Sequence, residues 1–548
     1  MPEPQPPAES FTAEEAALLA PYVTNTDRSV FALTNLPEVI KGALFSRYSR
    51  STLGLRRLLL KEFIQAPEAG FAGIAGAQQG AAAGEAHLAV ARAQDFYDRI
   101  LDGYGDDSIG ELGGAHLAIE NVSMIAAKAI EDARIGGSPL EKSTRYVSFG
   151  QKAGGDYLYY QEPRLMASAH RERYLGACRM LFETYIALME PVRAHIAAQN
   201  SDAARAKTFD ALRGLLPAGT VTNMGVYGNG RFFESLLVKL HLSELAELRE
   251  IAQSAHGELA KVIPSFIRRG RTDHPHFAGF RAHDQIQSKI AGYVAGAAEA
   301  NSAARAREPE PSVRLVDHDP EAETKILAAL AYPGTDRDLP SLRKWAHGLS
   351  DTERATWLNG IADARQNRRH KPPRAFELAY YTFDLLGDFG MYRDLHRHRM
   401  LTQQRQPLST RHGYALPPEV EQAGQAPRYR EAMERAAQAY EAIAAEFPAE
   451  AQYVVPMAYR IRWSMTVNLR SLIWLVELRS APQGHPAYRK MAQELYHAVE
   501  SVHPRLAPLF AFVDMQGSRG GRTPGRLEAE RRKLEKTQME LQWGRPSR

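Results

Sequence analysis

The chain contains itself twice, and no other feature constrains its fold as much. Pro217, Asn229 and Arg231 recur as Pro456, Asn468 and Arg470, all at an offset of 239. A second block recurs at an offset of 266: Glu111-Leu112 as Glu377-Leu378, and Ser143-Thr144-Arg145 as Ser409-Thr410-Arg411. The first copy therefore holds 27 extra residues between its blocks, as a loop insertion after tandem duplication would leave. At 548 residues the chain is also too long for one ordinary core, so two like domains are expected.

Local patterns fill in the copies. LLPAGTVTNMGVYGNGR and VVPMAYRIRWSMTVNLR are extended apolar stretches leading into Asn-x-Arg. In ELAYYTFDLLGDFGMYRDLHRHRML, aromatics and leucines at three- and four-residue spacing predict one long helix ending at Arg397-His398-Arg399. VRLVDHDPEAETKILAALAY predicts strand, turn and helix, with Asp319-Pro320 opening the helix and Glu321 and Glu323 in its first turn. The fold class is α+β: two tandem domains, each with a mixed or antiparallel sheet and long helices. The expected boundaries are an extension at 1–29, a first domain at 30–270, a linker at 271–310, a second domain at 311–516 and a basic tail at 517–548.

Composition excludes several classes. With 44% hydrophobic and 24% charged residues the chain is ordinary globular protein, not disordered. No apolar run reaches the ~20 residues of a membrane span, and the acidic, Pro-rich MPEPQPPAESFTAEE is unlike a signal peptide, so a cytoplasmic location is expected. The lone Cys178 allows no intramolecular disulfide and no Cys-based zinc site; its helical surroundings predict a buried small hydrophobe. Of the net charge of +4, the tail from Gly517 carries nine Arg or Lys against four Glu, leaving the body near −1. Nucleic acid is therefore not an expected partner of the body. Segment 73–87 is glycine-rich but follows no strand, DGYGDDSIGE lacks the closing Glu of a calcium loop, and FSRYSRSTLGLRRLLLKEF reads as a basic amphipathic helix.

The densest cationic cluster is Arg397-His398-Arg399, followed by Arg405, Ser409 and Arg411. The planar guanidinium fork suits phosphate; equally, cations gather at helix C-termini for the macrodipole alone. His396 and His398 alternate like metal ligands, but no carboxylate or Cys nearby completes a set, so no metal is expected. Counted back by 266, the same place in the first copy reads Glu131-Asp132-Ala133, which would repel an anion.

Arg-His-Arg, then Ser-x-Arg, then Asn468-Leu469-Arg470-Ser471-Leu472 before Leu478-Arg479 resembles the flavin-dependent thymidylate synthase family. The first copy offers Lys142-Ser143-Thr144-Arg145-Tyr146 and Asn229-Gly230-Arg231. The resemblance implies reductive methylation of dUMP to dTMP, with methylenetetrahydrofolate as carbon donor, reduced FAD as hydride source and NADPH as reductant. It implies that Arg397, His398, Arg399, Asn468 and Asn229 bind FAD. Ser143, Arg145, Ser409, Arg411, Arg231 and Arg470 would bind nucleotide, with Arg470 and Arg145 catalytic. The family is tetrameric, which for a duplicated chain implies a homodimer acting as a pseudo-tetramer. Two departures stand out: the family's Glu-His is Glu-Leu in both copies, and its Gln ahead of Arg-His-Arg is replaced by Asp394. They leave open a flavoenzyme acting on another pyrimidine nucleotide, or a catalytically degenerate nucleotide-binding or scaffold protein.

Overall fold

A computed structural model describes residues 10–49, 51–65, 110–145, 147–199, 204–299, 311–482 and 484–516. The glycine-rich segment 73–87, most of DGYGDDSIGE and the basic tail lie outside the described residues. The described strands are β1 Gly114–Ser123, β2 Gly137–Glu141, β3 Lys152–Ala153, β4 Asp156–Tyr157, β5 Val221–Asn229, β6 Ser312–His318, β7 Tyr380–Asp388, β8 Leu401–Arg405 and β9 Arg460–Asn468. Two compact units form, one from residues 1–122, 129–142 and 222–303, the other from 123–128, 143–221 and 304–548.

The first unit holds a sheet ordered β1-β5-β2, and the second holds one ordered β6-β7-β9-β8. Leaving aside β6, the two have the same order, since β1, β2 and β5 correspond to β7, β8 and β9. The pairs β2-β5 and β8-β9 are both antiparallel, with β8 shifted along β9 by one or two residues relative to the offsets of 265 and 266. Gly137 faces Gly228 on β5, and Leu401 faces Val467 on β9, whose positions are 239 apart. The duplication legible in single residues is thus a duplication of strand pairing.

Why β9 is a strand follows from its alternation: Ile461, Trp463, Met465 and Val467 are buried, with polar residues between. Thr382 and Thr466 sit opposite each other with hydroxyls 3.0 Å apart, and Arg462 meets Asp384 at 2.7 Å. The stretch expected as one long helix is instead a 3-10 turn, then β7, then a helix of only Phe389–Leu395. Its aromatic spacing suits either period, but Tyr-Tyr-Thr-Phe favours a pleated surface, and Asp388 ends the strand by capping the helix through Met391 N at 2.8 Å. The expected strand, turn and helix after Pro311 is present as β6 and helix Ala322–Ala331.

In the second unit the repeated prolines face each other. Pro217 and Pro456 form an antiparallel bridge flanked by Ala218 N to Val455 O (2.8 Å) and Met457 N to Leu216 O (3.0 Å). These two bonds exchange under the offset of 239, as do Gly219 N to Tyr453 O (2.8 Å) and Ala458 N to Gly214 O (2.9 Å). The pairing is a local two-fold built within one chain. A side chain at Gly219 would lie 2.9 Å from the Tyr453 carbonyl, so the approach requires glycine there. Cys178 is fully buried in helix Arg171–Gln199, where burial pushes its thiol well above the ordinary range.

Candidate functional site

The residues that repeat most visibly do the same local work in both copies. Asn229 and Asn468 each cap the helix that follows, accepting from Phe232 N and Ser471 N, both at 2.9 Å. Ser143 and Ser409 each close a turn, accepting from Arg145 N at 3.2 Å and Arg411 N at 3.4 Å. Arg231 pairs with Glu111 at 2.7 Å, and Arg470 with Glu377 at 2.9 Å. Arg470 also donates Nε to the Pro372 carbonyl at 2.7 Å. The two blocks found at different offsets thus supply the two ends of one ion pair in each copy.

The copies part company after the short crossover helix. Helix Phe389–Leu395 crosses from β7 to β8 and ends at His396, which places Arg397-His398-Arg399 in the turn before β8. Arg397 is exposed and donates Nε to the Arg393 carbonyl at 3.1 Å. Arg399 is exposed as well. His398 Nε2 accepts from Arg479 Nε at 3.1 Å. Burial, then Arg479 and His396, hold this imidazole well below its ordinary range, so it is neutral and keeps Nδ1–H to donate.

Behind that turn lies a group that the sequence analysis did not assemble. Asp394 is largely buried, which alone would raise its carboxyl, yet Arg213, Arg397, Arg479 and Arg393 hold it down at about 2. Arg213, itself buried, reaches Asp394 at 3.4 Å and the Gly390 carbonyl at 3.3 Å. Arg393 donates to Thr144 Oγ1 at 3.3 Å. Arg479, beside His398, has its own guanidinium pushed down by burial. Next to it Arg145 forks onto Asp210 through two bonds of 2.7 Å and reaches the Tyr488 hydroxyl at 3.3 Å. Burial and then Arg213 push His485 down to about 4, and its Nδ1 accepts from Ala487 N, so it too is a neutral donor. Five guanidiniums and two neutral imidazoles are thus gathered about Asp394 and Asp210, with Asp388 also facing Arg213. A group so rich in guanidinium donors is of the kind that can hold an anion.

Of the sequence-predicted residues, the structure brings Arg397, His398 and Arg145 into this neighbourhood. Ser143 lies two residues from Arg145, with Thr144 between them bonded to Arg393. Arg470 lies at the opposite end of helix Leu469–Arg479, nine residues or roughly 13 Å along the axis from Arg479. Arg411 is exposed and 4.0 Å from Glu441. Asn229 and Arg231 belong to the first unit. Arg213, Arg393, His485 and Tyr488 were missed, and Arg479 was noted only as part of the family resemblance, because none of them is itself a repeated position. The one available signal was Asp394 itself, a carboxylate immediately before a cationic motif.

The caps also correct the alignment of the copies. Ser123 Oγ accepts from Ala126 N at 3.0 Å just as Asp388 accepts from Met391 N, an offset of 265. The shift arises because β1 has 10 residues and β7 has 9. Arg397-His398-Arg399 then corresponds to Asp132-Ala133-Arg134, so one cation survives, Arg134 at φ +64°. Asp132 is paired with Lys239 at 3.2 Å. Among the described residues no cluster of His, Cys, Asp or Glu could hold a metal, and no helix is long and apolar enough to cross a membrane.

The sequence profile of the thymidylate synthase complementing protein family matches residues 66–265 and 314–505, one match in each copy. A UPF0159 protein of Chlamydia pneumoniae is 48% identical over 96% of this chain and 98% of its own length. A UPF0159 protein of Thermoplasma acidophilum is 34% identical over 90% of this chain and 98% of its own. Among solved structures, the UMP/dUMP methylase PolB of Streptomyces cacaoi with 5-Br dUMP aligns at 16% identity and a TM-score of 0.31, covering 38% of this chain and 96% of that one. The chain belongs to the thymidylate synthase complementing protein family.

Proposed function

We propose that this duplicated member of the thymidylate synthase complementing protein family methylates dUMP to dTMP, with methylenetetrahydrofolate as carbon donor, FAD as cofactor and NADPH as reductant. The observation that carries the reading is the convergence of four guanidiniums on Asp394. The buried guanidinium of Arg479, held below its ordinary range, shares Asp394 with Arg213, Arg393 and Arg397, and an added anion such as a diphosphate or a nucleotide phosphate would stabilise the group. The residues present therefore fit FAD's anionic part.

When bound, reduced FAD supplies the hydride, so the protein's own work is binding, orientation and charge. Arg397 and Arg399 hold the cofactor's phosphates, and the neutral His398 donates Nδ1–H. Asn468 keeps its amide N–H groups for the flavin while its oxygen caps the helix. Arg145, fixed by Asp210, and the Ser143 turn bind the dUMP phosphate. Arg470, fixed by Glu377, serves the nucleotide. Asn229, Arg231, Ser409 and Arg411 complete the sites of a homodimer in which each chain stands for two family subunits.

Purified full-length protein is expected to be yellow or to take up FAD, to change its flavin spectrum on dUMP titration, and to rescue a thymidine auxotroph. Protein that binds no FAD and gives no rescue would overturn the reading. Light scattering is expected to give a dimer; a stable tetramer of full-length chains would refute the pseudo-tetramer.

A further inference from the structure

Outside the Asp394 cluster, the strongest unexplained feature is the loop Arg368-Arg369-His370-Lys371-Pro372-Pro373-Arg374. It is held with unusual care. Arg365, buried, forks onto the buried Glu477 at 2.8 and 2.7 Å and donates Nε to the His370 carbonyl at 2.7 Å. Asn367 accepts from Arg369 N at 2.8 Å, and its amide lies 2.9 Å from His370 Nε2. Arg368 and Lys371 both sit against the Trp474 ring, at 5.6 and 5.0 Å from its centre.

The cations so placed are barely neutralised. Arg368 faces Glu477, which Arg365 already occupies. Arg374 reaches Glu377 at 3.7 Å, which Arg470 already occupies. Arg369 and Lys371 are exposed, and no carboxylate among the described residues bridges either. At the matching positions of the first copy, 266 residues earlier, the sequence reads Asp102-Gly103-Tyr104-Gly105-Asp106-Asp107-Ser108. The charge there is reversed, so the basic loop is not a common property of the duplicated domain.

Its place suggests its ligand. Arg470 donates to the Pro372 carbonyl, so the loop is joined to the first turn of helix Leu469–Arg479, whose last residue meets His398. An 11-residue helix, about 16 Å long, thus separates a preorganised cationic strip from the anion site. A ligand bridging the two has a reactive head and a negatively charged tail. The near-neutral body gives nucleic acid no long-range attraction, which disfavours a polynucleotide.

We propose that the loop 368–374 binds a chain of carboxylates, the polyglutamate extension of the folate co-substrate. This rests on the methylation reading above. The test is to titrate full-length protein, with FAD and dUMP present, with methylenetetrahydrofolate carrying one or five glutamates. Exposed ion pairs are each worth a factor of roughly 1.4 to 5, so three new ones should tighten the long form by about tenfold. In the double variant Arg369→Glu, Lys371→Glu the ratio should fall to about one. Circular dichroism and melting of the variant check that these exposed changes leave the fold intact. Equal binding of both forms by the native protein overturns the proposal, as does a ratio that survives the variant. So does a single-stranded oligonucleotide whose binding is lost in the variant while tail length has no effect. If neither folate binds, the proposed reaction itself fails; folate binding without tail preference removes only this inference.

Discussion

The two copies share sheet order, helix caps and a Glu–Arg pair, and they differ in charge at one turn. In the first copy, Asp132 after the crossover helix is met by Lys239 from the last turn of the following helix. In the second, the corresponding turn carries Arg397 and His398, and the last-turn residue Arg479 adds a further cation. The same backbone thus holds a Lys–Asp pair in one place and several guanidiniums about one carboxylate in the other. Shared pairing preserves geometry, while a few charge changes at a turn reverse the electrostatics there.

The largest expected effect tests that contrast directly. Asp394→Ala strips four guanidiniums of their shared buried carboxylate and should cost about 3–5 kcal/mol in urea unfolding. Asp132→Ala breaks a partly exposed pair and should cost at most ~1 kcal/mol. Comparable losses would show that the two turns are electrostatically alike. Next, flavin titration should give one FAD per chain. Arg397→Ala with Arg399→Ala should weaken it by at least about 100-fold, taking ~1.5–3 kcal/mol per charge-assisted bond, while Arg134→Ala leaves it unchanged. Two equivalents per chain would mean that the first copy is a working site.

A third comparison uses the caps. Asn229→Ala and Asn468→Ala remove the same bond and should each cost ~1 kcal/mol of stability. Only Asn468→Ala should also weaken flavin binding; a loss of stability alone would make Asn468 purely a cap. A last test concerns pH. His485, at about 4 in the folded chain and near 6.5 when unfolded, is neutral in the native state. Its contribution is present above about pH 6.5 and is lost as pH falls toward 4, because the unfolded chain takes up the proton first. Melting temperature should therefore drop over that range, and His485→Asn should flatten the drop. An unchanged slope would show that His485 is not the group responsible.

Legibility followed sequence distance. The strands β5 and β9, the helix after Asp319 and the duplication itself could be read because their signals lie within a few residues or repeat at fixed offsets. The long helix expected before Arg397 failed because aromatic spacing at three and four residues also fits a strand followed by a short helix, and the Asp388 cap decides between them. Glu111 and Arg231 were both visible as repeats, but that they are partners 120 residues apart was not.

The sequence by itself determined that there are two related copies, where their repeated motifs fall, and that only the second carries Arg-His-Arg. Those are local or periodic properties of the chain. Tertiary structure alone decided that Arg213, Arg393, Arg397 and Arg479 surround one carboxylate, that Arg145 is clamped by Asp210, and that Arg470 stands at the far end of its helix. Electrostatic energy depends on distance through space and on burial, and neither is a function of separation along the chain.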